Sequence, residues 1–367
     1  MRSVVILRRP ARTQTRTRTC TRACGRACRR GRRDRARGAV ALFFLLFLIP
    51  LLSFGALAID VAWVSVVRNE LQNAADSAAL AGADVLLSSG GATLNWSQAA
   101  TVANGAVMQN SAAGTQLSTG TVGTGYWNLS RTPATMQATT ITPGVYDAPA
   151  VQVTVSRSAN LNGGMIPLLL GGLLGIPGAN GSATAVAVLA APGGVASGGL
   201  FPLAIDQCIY NQYWNAATNQ PLINPLTSLP YEFIITNGQT YGATCVGGQW
   251  TSFLSTANDT TTMNALMLSG NPAPLAIGNS IWLATGVKAT LYTSVPVGST
   301  VVLPVVTQTA TSTYVPVVAF AAFHIDAATG GSLKTIQGHF VAGVKLNGVA
   351  SGVGPYYGVY APPRLAL

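Results

Sequence analysis

The side chains able to do chemistry are few in this 367-residue chain. His324 and His339 are its two histidines, and His324 stands two residues before Asp326. A carboxylate that fixes an imidazole tautomer can make that ring a general base or a metal ligand. On a strand, residues two apart share a face in any case, so an ordinary half-buried histidine fits the same spacing. The other carboxylates after residue 200, Asp206, Glu232 and Asp259, are scattered, and only folding could assemble a glycosidase-like pair from them. Cys20, Cys24 and Cys28 recur at four-residue steps with no histidine beside them; Cys208 and Cys245 are the only cysteines further on. No GxSxG, HExxH, P-loop, CxxC or strand-borne GxGxxG pattern occurs. No catalytic residue, cofactor, metal ligand or small-molecule substrate is therefore predicted. The triplets at Asn95, Asn128 and Asn258 are short enough to arise by chance. The aromatics Tyr210, Tyr213, Trp214 and Trp250 read either as core or as a sugar-stacking platform.

The elements that must position these residues begin with an asymmetry of charge. Residues 1–37 hold fourteen Arg and one Asp, whereas the rest holds seven Lys and Arg against nine Asp and Glu. The net charge of +11 thus belongs to a terminal tail. A basic surface for nucleic acid is excluded for the remainder. The tail has no apolar periodicity and repels itself, so disorder is expected. Its Arg/Thr/Cys monotony also fits translation beginning at a non-Met codon nearer Arg29. Only 8% of residues are charged, against a typical ~25%. That composition, rich in Gly, Thr, Ser and Val, indicates a β-rich extracytoplasmic protein.

The run Gly38 to Ile59 carries no charge and is long enough as a helix to cross the ~30 Å hydrocarbon layer. Arginines on its N-terminal side place that end in the cytoplasm and the bulk outside. Pro50 predicts a kink midway, and Trp63 falls where an interfacial aromatic would anchor the outer end. The alternative is a secretory signal cleaved after Ala58 in "ALA". Small or apolar residues then recur at Val64, Val67, Leu71, Ala75, Ala78 and Gly82, opposite Arg68, Gln72 and Asp76. This is one helix face. It suits packing either against a partner helix or against this chain's own β domain.

The segment "RGAVALFFLLFLIPLLSFGALAIDVAWVSVVRNELQNAADSAALAGAD" resembles the N-terminal segment of TadG-like and TadE-like proteins of tight-adherence (Tad/Flp) pilus assembly. Arg37, Gly38, Asp60, Leu71, Gln72, Ala74, Ala75, Asp76, Ala78, Ala79, Leu80 and Ala81 carry the likeness. A weaker similarity continues through "VTVSR" and "SATAVAV" between residues 150 and 190. The resemblance implies an envelope component that helps build or anchor a pilus, with the bilayer and other pilus-assembly or envelope proteins as partners. It implies a single-pass protein of the bacterial inner membrane with a periplasmic body. The metal-dependent "DxSxS" run of von Willebrand A domains found in some relatives is absent here.

The expected architecture is α+β: a long transmembrane helix continuing into a periplasmic stem, then mainly antiparallel β-rich domains. The segments are a tail (1–37), the span and stem (38–90), a β-rich part with a short apolar helix near 165–176 (91–191), a Gly-rich linker (192–200) and a C-terminal β domain, sandwich or barrel (201–367). In that last part Asn237-Gly238 marks a hairpin. "DAATGG" joins two longer strands, and "AND" at 257–259 starts a short capped helix. An oxidising periplasm makes Cys208 and Cys245 a natural disulfide. The residues singled out as membrane-edge or packing positions are Asp60, Trp63, Leu71, Ala75, Asp76, Ala78 and Gly82. The competing function is an adhesin released by cleavage after Ala58.

Overall fold

The computed structural model describes residues 36–87, 93–144, 146–215, 218–236, 239–242, 244–285, 289–346, 350–351 and 353–366. The three tail cysteines and the Asn237–Gly238 turn lie outside them. The chain divides into two compact units, Met1–Gly55 and Ala56–Leu367. In the first, the described residues are helical from Ala36 onward, as part of α1 (Ala36–Asp84). The large apolar side chains Val40, Leu42 to Phe47, Ile49, Leu51, Leu52 and Phe54 are all exposed. From Val40, α1 is long and apolar enough to cross a membrane. Helix continues through Pro50, and the Ser53 hydroxyl donates to the Ile49 carbonyl at 2.9 Å.

In the second unit, the remainder of α1 packs with α2 (Trp96–Val107) on an antiparallel sheet. The Asn95 side chain caps α2 by accepting from Gln98 N at 3.0 Å, and Ala99, Ala103 and Val107 repeat every four residues on its buried face. The sheet holds β1 (Thr121–Asn128), β2 (Asp147–Arg157) and β3 (Gly181–Val188), with the pair Arg364–Leu365 against the outer edge of β3. One face, with Val151, Val153, Val155, Ala185 and Ala187, meets the helices. The other covers Trp127 with Ala150, Val186 and Val188. This is the two-layer solution for an apolar helix stripe and a half-buried sheet.

Residues 192–200, expected as a linker, are tied down. Gly194–Val195 pairs with Leu275–Ala276 and with Ala350–Ser351. The Asn271 amide accepts from Leu200 N at 2.9 Å and donates to Ala196 O at 2.9 Å. The apolar stretch near 165–176 is also not the expected helix. Ile166–Pro167 pairs with Gly178–Ala179, and only Gly171–Leu174 makes a 3-10 turn. Pro167, Pro177 and the three glycines Gly171, Gly172 and Gly175 deny it a continuous ladder.

The C-terminal body is built from β4 (Leu203–Asp206), α3 (Gln207–Tyr213), β5 (Phe233–Thr236), β6 (Gly248–Phe253), α4 (Thr260–Ser269), β7 (Ser280–Leu283), β8 (Thr300–Val306), β9 (Thr313–Thr329) and β10 (Thr335–Phe340). The 17-residue β9 is long enough to serve three partners: β7 with residues 313–316, β8 with 317–324 and β10 with 323–329. Since β7 pairs β6, β6 pairs β4 and β4 runs parallel to β8, five strands close on themselves. Closure removes sheet edges. Asp259 caps α4 through Thr262 N at 2.8 Å, and Gly270 ends it with φ +73°. Around the proposed Asn237–Gly238 turn the pairing differs from a simple hairpin. Residues 233–236 pair with β10, whereas Thr240–Tyr241 pairs with Cys245–Val246.

Candidate functional site

Asp60 follows immediately on the uncharged run, yet it is only 5% exposed. Its carboxylate accepts from Leu169 N at 2.7 Å and from Leu170 N at 3.0 Å. Three residues on, Trp63 donates its indole N–H to Pro167 O at 3.0 Å. One helix turn of α1 therefore holds the apolar loop 165–177 through its backbone. Charge-assisted bonds of this kind are among the stronger ones. Asp60→Ala leaves two amides without an acceptor, at roughly 1–3 kcal/mol per orphaned donor. Amide exchange at Leu169 and Leu170 is expected to quicken by about tenfold or more, with little change in global melting. Equal exchange rates in the variant and the parent chain would remove Asp60 from this role.

Below this latch the small-residue stripe turns inward. Val67, Leu71, Ala74, Ala75, Ala78, Ala79 and Ala83 are fully buried against α2 and the first sheet. At Gly82 a Cβ would lie 2.9 Å from both Ala103 Cβ and Ala99 O. The stripe's small size lets α1 approach its own domain. Of the two packings open to the stripe, Ala75, Ala78 and Gly82 take the one within the chain, where all three are buried. Asp76 lies at the margin, accepting from Gln72 Nε2 at 2.7 Å, while the same amide reaches Thr184 O at 3.3 Å.

Residues 71–187 match the Tad-like Flp pilus-assembly family, and residues 38–85 match the Flp pilus-assembly TadE/G-like family. Together the two matches make residues 38–187 a Tad-like region. No curated protein and no solved structure matches it.

Within the Tad-like region nothing in "VTVSR" signals what its terminal Arg157 does. The guanidinium is 2% exposed and donates to Ala112 O at 2.7 Å, Gly164 O at 3.1 Å and Gly163 O at 3.2 Å. It thereby fastens the chain leading into the loop that Asp60 holds. Asn162 supports the same corner, its side-chain oxygen accepting from Ser118 N at 2.8 Å and its amide donating to Ser156 O at 2.8 Å. Arg157→Met, similar in length but without donors, strands three acceptors at roughly 1–3 kcal/mol each. A Tm at least several degrees lower is the expected result, and an unchanged Tm would show the clamp to be dispensable.

Outside the Tad-like region, His324 and His339 face each other across β9 and β10 with ring centres 5.3 Å apart. Asp326 is the extra residue of a bulge between Ile325 and Ala327. Bulges re-aim side chains, and Asp326 reaches the neighbouring strand, accepting from His339 Nδ1 at 2.7 Å, with His324 Nε2 at 3.9 Å. Gly338, opposite the bulge, has room for no Cβ, which would collide with His324 O. Thr300 Oγ1 lies 3.0 Å from His324 Nδ1. These groups satisfy one another on the sheet surface, and none lines the cavity found elsewhere in the second unit.

That cavity, about 760 Å³, has Trp96, Tyr126, Asp147, Tyr210 and Tyr356 in its wall. Burial raises the phenols of Tyr126, Tyr210 and Tyr356, the last to about 12, and Asp147 adds to the shift at Tyr126. They remain neutral hydroxyls at ordinary pH. Asp147 is already engaged, accepting from Asn128, Gln137 and Gly144 N. Of the two readings of Tyr210, Tyr213, Trp214 and Trp250, the core one fits three of the four. Tyr210, Trp214 and Trp250 are buried, and half-buried Tyr213 stacks on Phe233 at 4.8 Å. Tyr210 packs between Trp214 and Tyr357. Cys208, in the first turn of α3, is disulfide-bonded to Cys245 with Cα atoms 5.8 Å apart.

Proposed function

We propose that the protein is a non-catalytic, membrane-anchored component that assists assembly or anchoring of tight-adherence (Flp-type) pili. Its α1 crosses the bacterial inner membrane once, with the arginine-rich end in the cytoplasm and the body in the periplasm. The observation that carries this reading is a membrane-length helix that runs on as the central core element of a Tad-like region. Charge asymmetry supports the orientation, since arginines cluster before the span. A disulfide in the body supports an oxidising compartment. The body offers its partners a nearly neutral β-rich surface, since seven Lys and Arg stand against nine Asp and Glu after residue 37. In the competing reading, cleavage after Ala58 releases an adhesin, but that bond lies inside α1.

N-terminal sequencing of the native protein, after inner-membrane, periplasmic and outer fractions are separated, tests the proposal. An uncleaved chain in the inner membrane is expected. A mature terminus at Ile59 in a soluble or outer fraction would overturn the anchored reading and favour the adhesin.

A further inference from the structure

Loop 165–177 combines features that a water-exposed loop does not need. Leu169 is 61% and Ile176 53% exposed, with Pro167 and Pro177 exposed beside them. No charged residue occurs from Ser158 to Ile205. Exposed loops are ordinarily polar, and a contiguous apolar patch marks a surface that something covers. Its backbone is also prepared for a medium without water. Leu169 N and Leu170 N are taken by Asp60, Leu168 N by Pro177 O, Gly175 N by Gly172 O and Ile176 N by Gly171 O. Pro167 and Pro177 have no N–H, and Pro167 O receives the Trp63 indole. Backbone groups entering lipid must be satisfied internally.

The height of the loop is set by the same latch. Asp60 is the first charged residue after the uncharged run, and Leu57, Ile59 and Val61 around it are exposed apolar side chains. A carboxylate at that position marks the outer boundary of the hydrocarbon, so the loop it holds meets the bilayer at the headgroup level. Trp63, a half-buried indole, sits at the level where such rings concentrate. A second copy of the chain or a partner helix could also cover apolar side chains, but neither explains why the loop is fixed at the end of the span.

We infer that loop 165–177 is a second membrane-contact element, which enters the outer interface of the phospholipid bilayer beside the span and is held there by Asp60 and Trp63. It gives the Tad-like region two points of attachment and so restricts its tilt. The inference rests on the anchored reading above.

The test uses the full chain with Cys20→Ser, Cys24→Ser and Cys28→Ser, reconstituted without reductant in phosphatidylethanolamine and phosphatidylglycerol vesicles. A single environment-sensitive fluorophore is placed in turn at Leu169→Cys, Ile176→Cys, Leu46→Cys in the span and Leu226→Cys, which is 93% exposed in the body. Lipids spin-labelled near the top of the acyl chain are expected to quench the probes at 169 and 176 but not at 226. Iodide quenching at 169 and 176 should be about threefold or more below that at 226, as for a side chain in the interface. Probes at 169 and 176 open to iodide and blind to the lipid label, with 46 quenched by lipid, would overturn the loop contact and leave the anchor intact. Shielding from both quenchers would mean that protein covers the loop, which also overturns it. Failure of lipid quenching at 46 would overturn the anchored reading and the loop contact together.

Discussion

Gly82→Val is expected to destabilise the Tad-like region itself rather than detach it from a partner. The new Cβ would stand 2.9 Å from the Ala99 carbonyl oxygen and from Ala103 Cβ, and 3.0 Å from Val151 Cγ1. The first of these is backbone, so α1 and α2 must separate. Overpacking of this kind costs about 1–3 kcal/mol, occasionally more, and a β-branched side chain adds a small loss of helix propensity. Circular dichroism of the full chain in detergent should show a Tm lower by about 5–10 °C. Ala78→Leu, at another fully buried position of the same stripe, is expected to act in the same direction. An unchanged Tm in both, with loss only of co-purifying envelope proteins, would mean that the stripe faces outward.

The second large effect is expected in the C-terminal body. Replacing both Cys208 and Cys245 with Ser opens a loop of 37 residues, and the chain-entropy estimate for a loop of that size is about 4 kcal/mol. The loss should centre on α3, whose Tyr210 sits among Trp214, Phe340 and Tyr357 and whose N-cap Asp206 also accepts from Thr309 N at 2.9 Å. Urea unfolding followed by tryptophan fluorescence, with and without reductant, should give a markedly lower midpoint for the reduced chain. Superimposed curves would show that the bridge adds nothing.

What could be read from the sequence is the part governed by local chemistry. The uncharged run with its arginine flank marks a membrane-length helix. Asp259 before an apolar stretch and Gly270 after it outline α4, whereas in "DAATGG", expected to join two strands, Asp326 to Thr329 belong to β9 and only the glycines after them lie in the turn to β10. The α+β class follows from these.

What could not be read depends on pairings far apart in the chain. A stripe of Ala and Gly permits close approach by any backbone, and only the folded sheet reveals that the approaching one is Val151 and its neighbours in the same molecule. Asp60 finds its acceptor role 109 residues away. Arg157 shows no sequence sign of its three carbonyls, since carbonyls belong to every residue. The closing of β9 onto β8, and the return of Arg364–Leu365 to β3 outside the 201–367 body, are likewise long-range. Residues 165–176 read as a helix because they are apolar, whereas their glycines and prolines make a pinned loop.

The proposed function is service to Flp-type pilus assembly from the membrane. Its most direct test is deletion of the gene in the bacterium that carries it, followed by counting surface filaments by electron microscopy. Loss of Flp-type pili, restored by the full chain but not by a chain beginning at Ile59, is the predicted result. Filaments at the parental number in the deletion strain would contradict it.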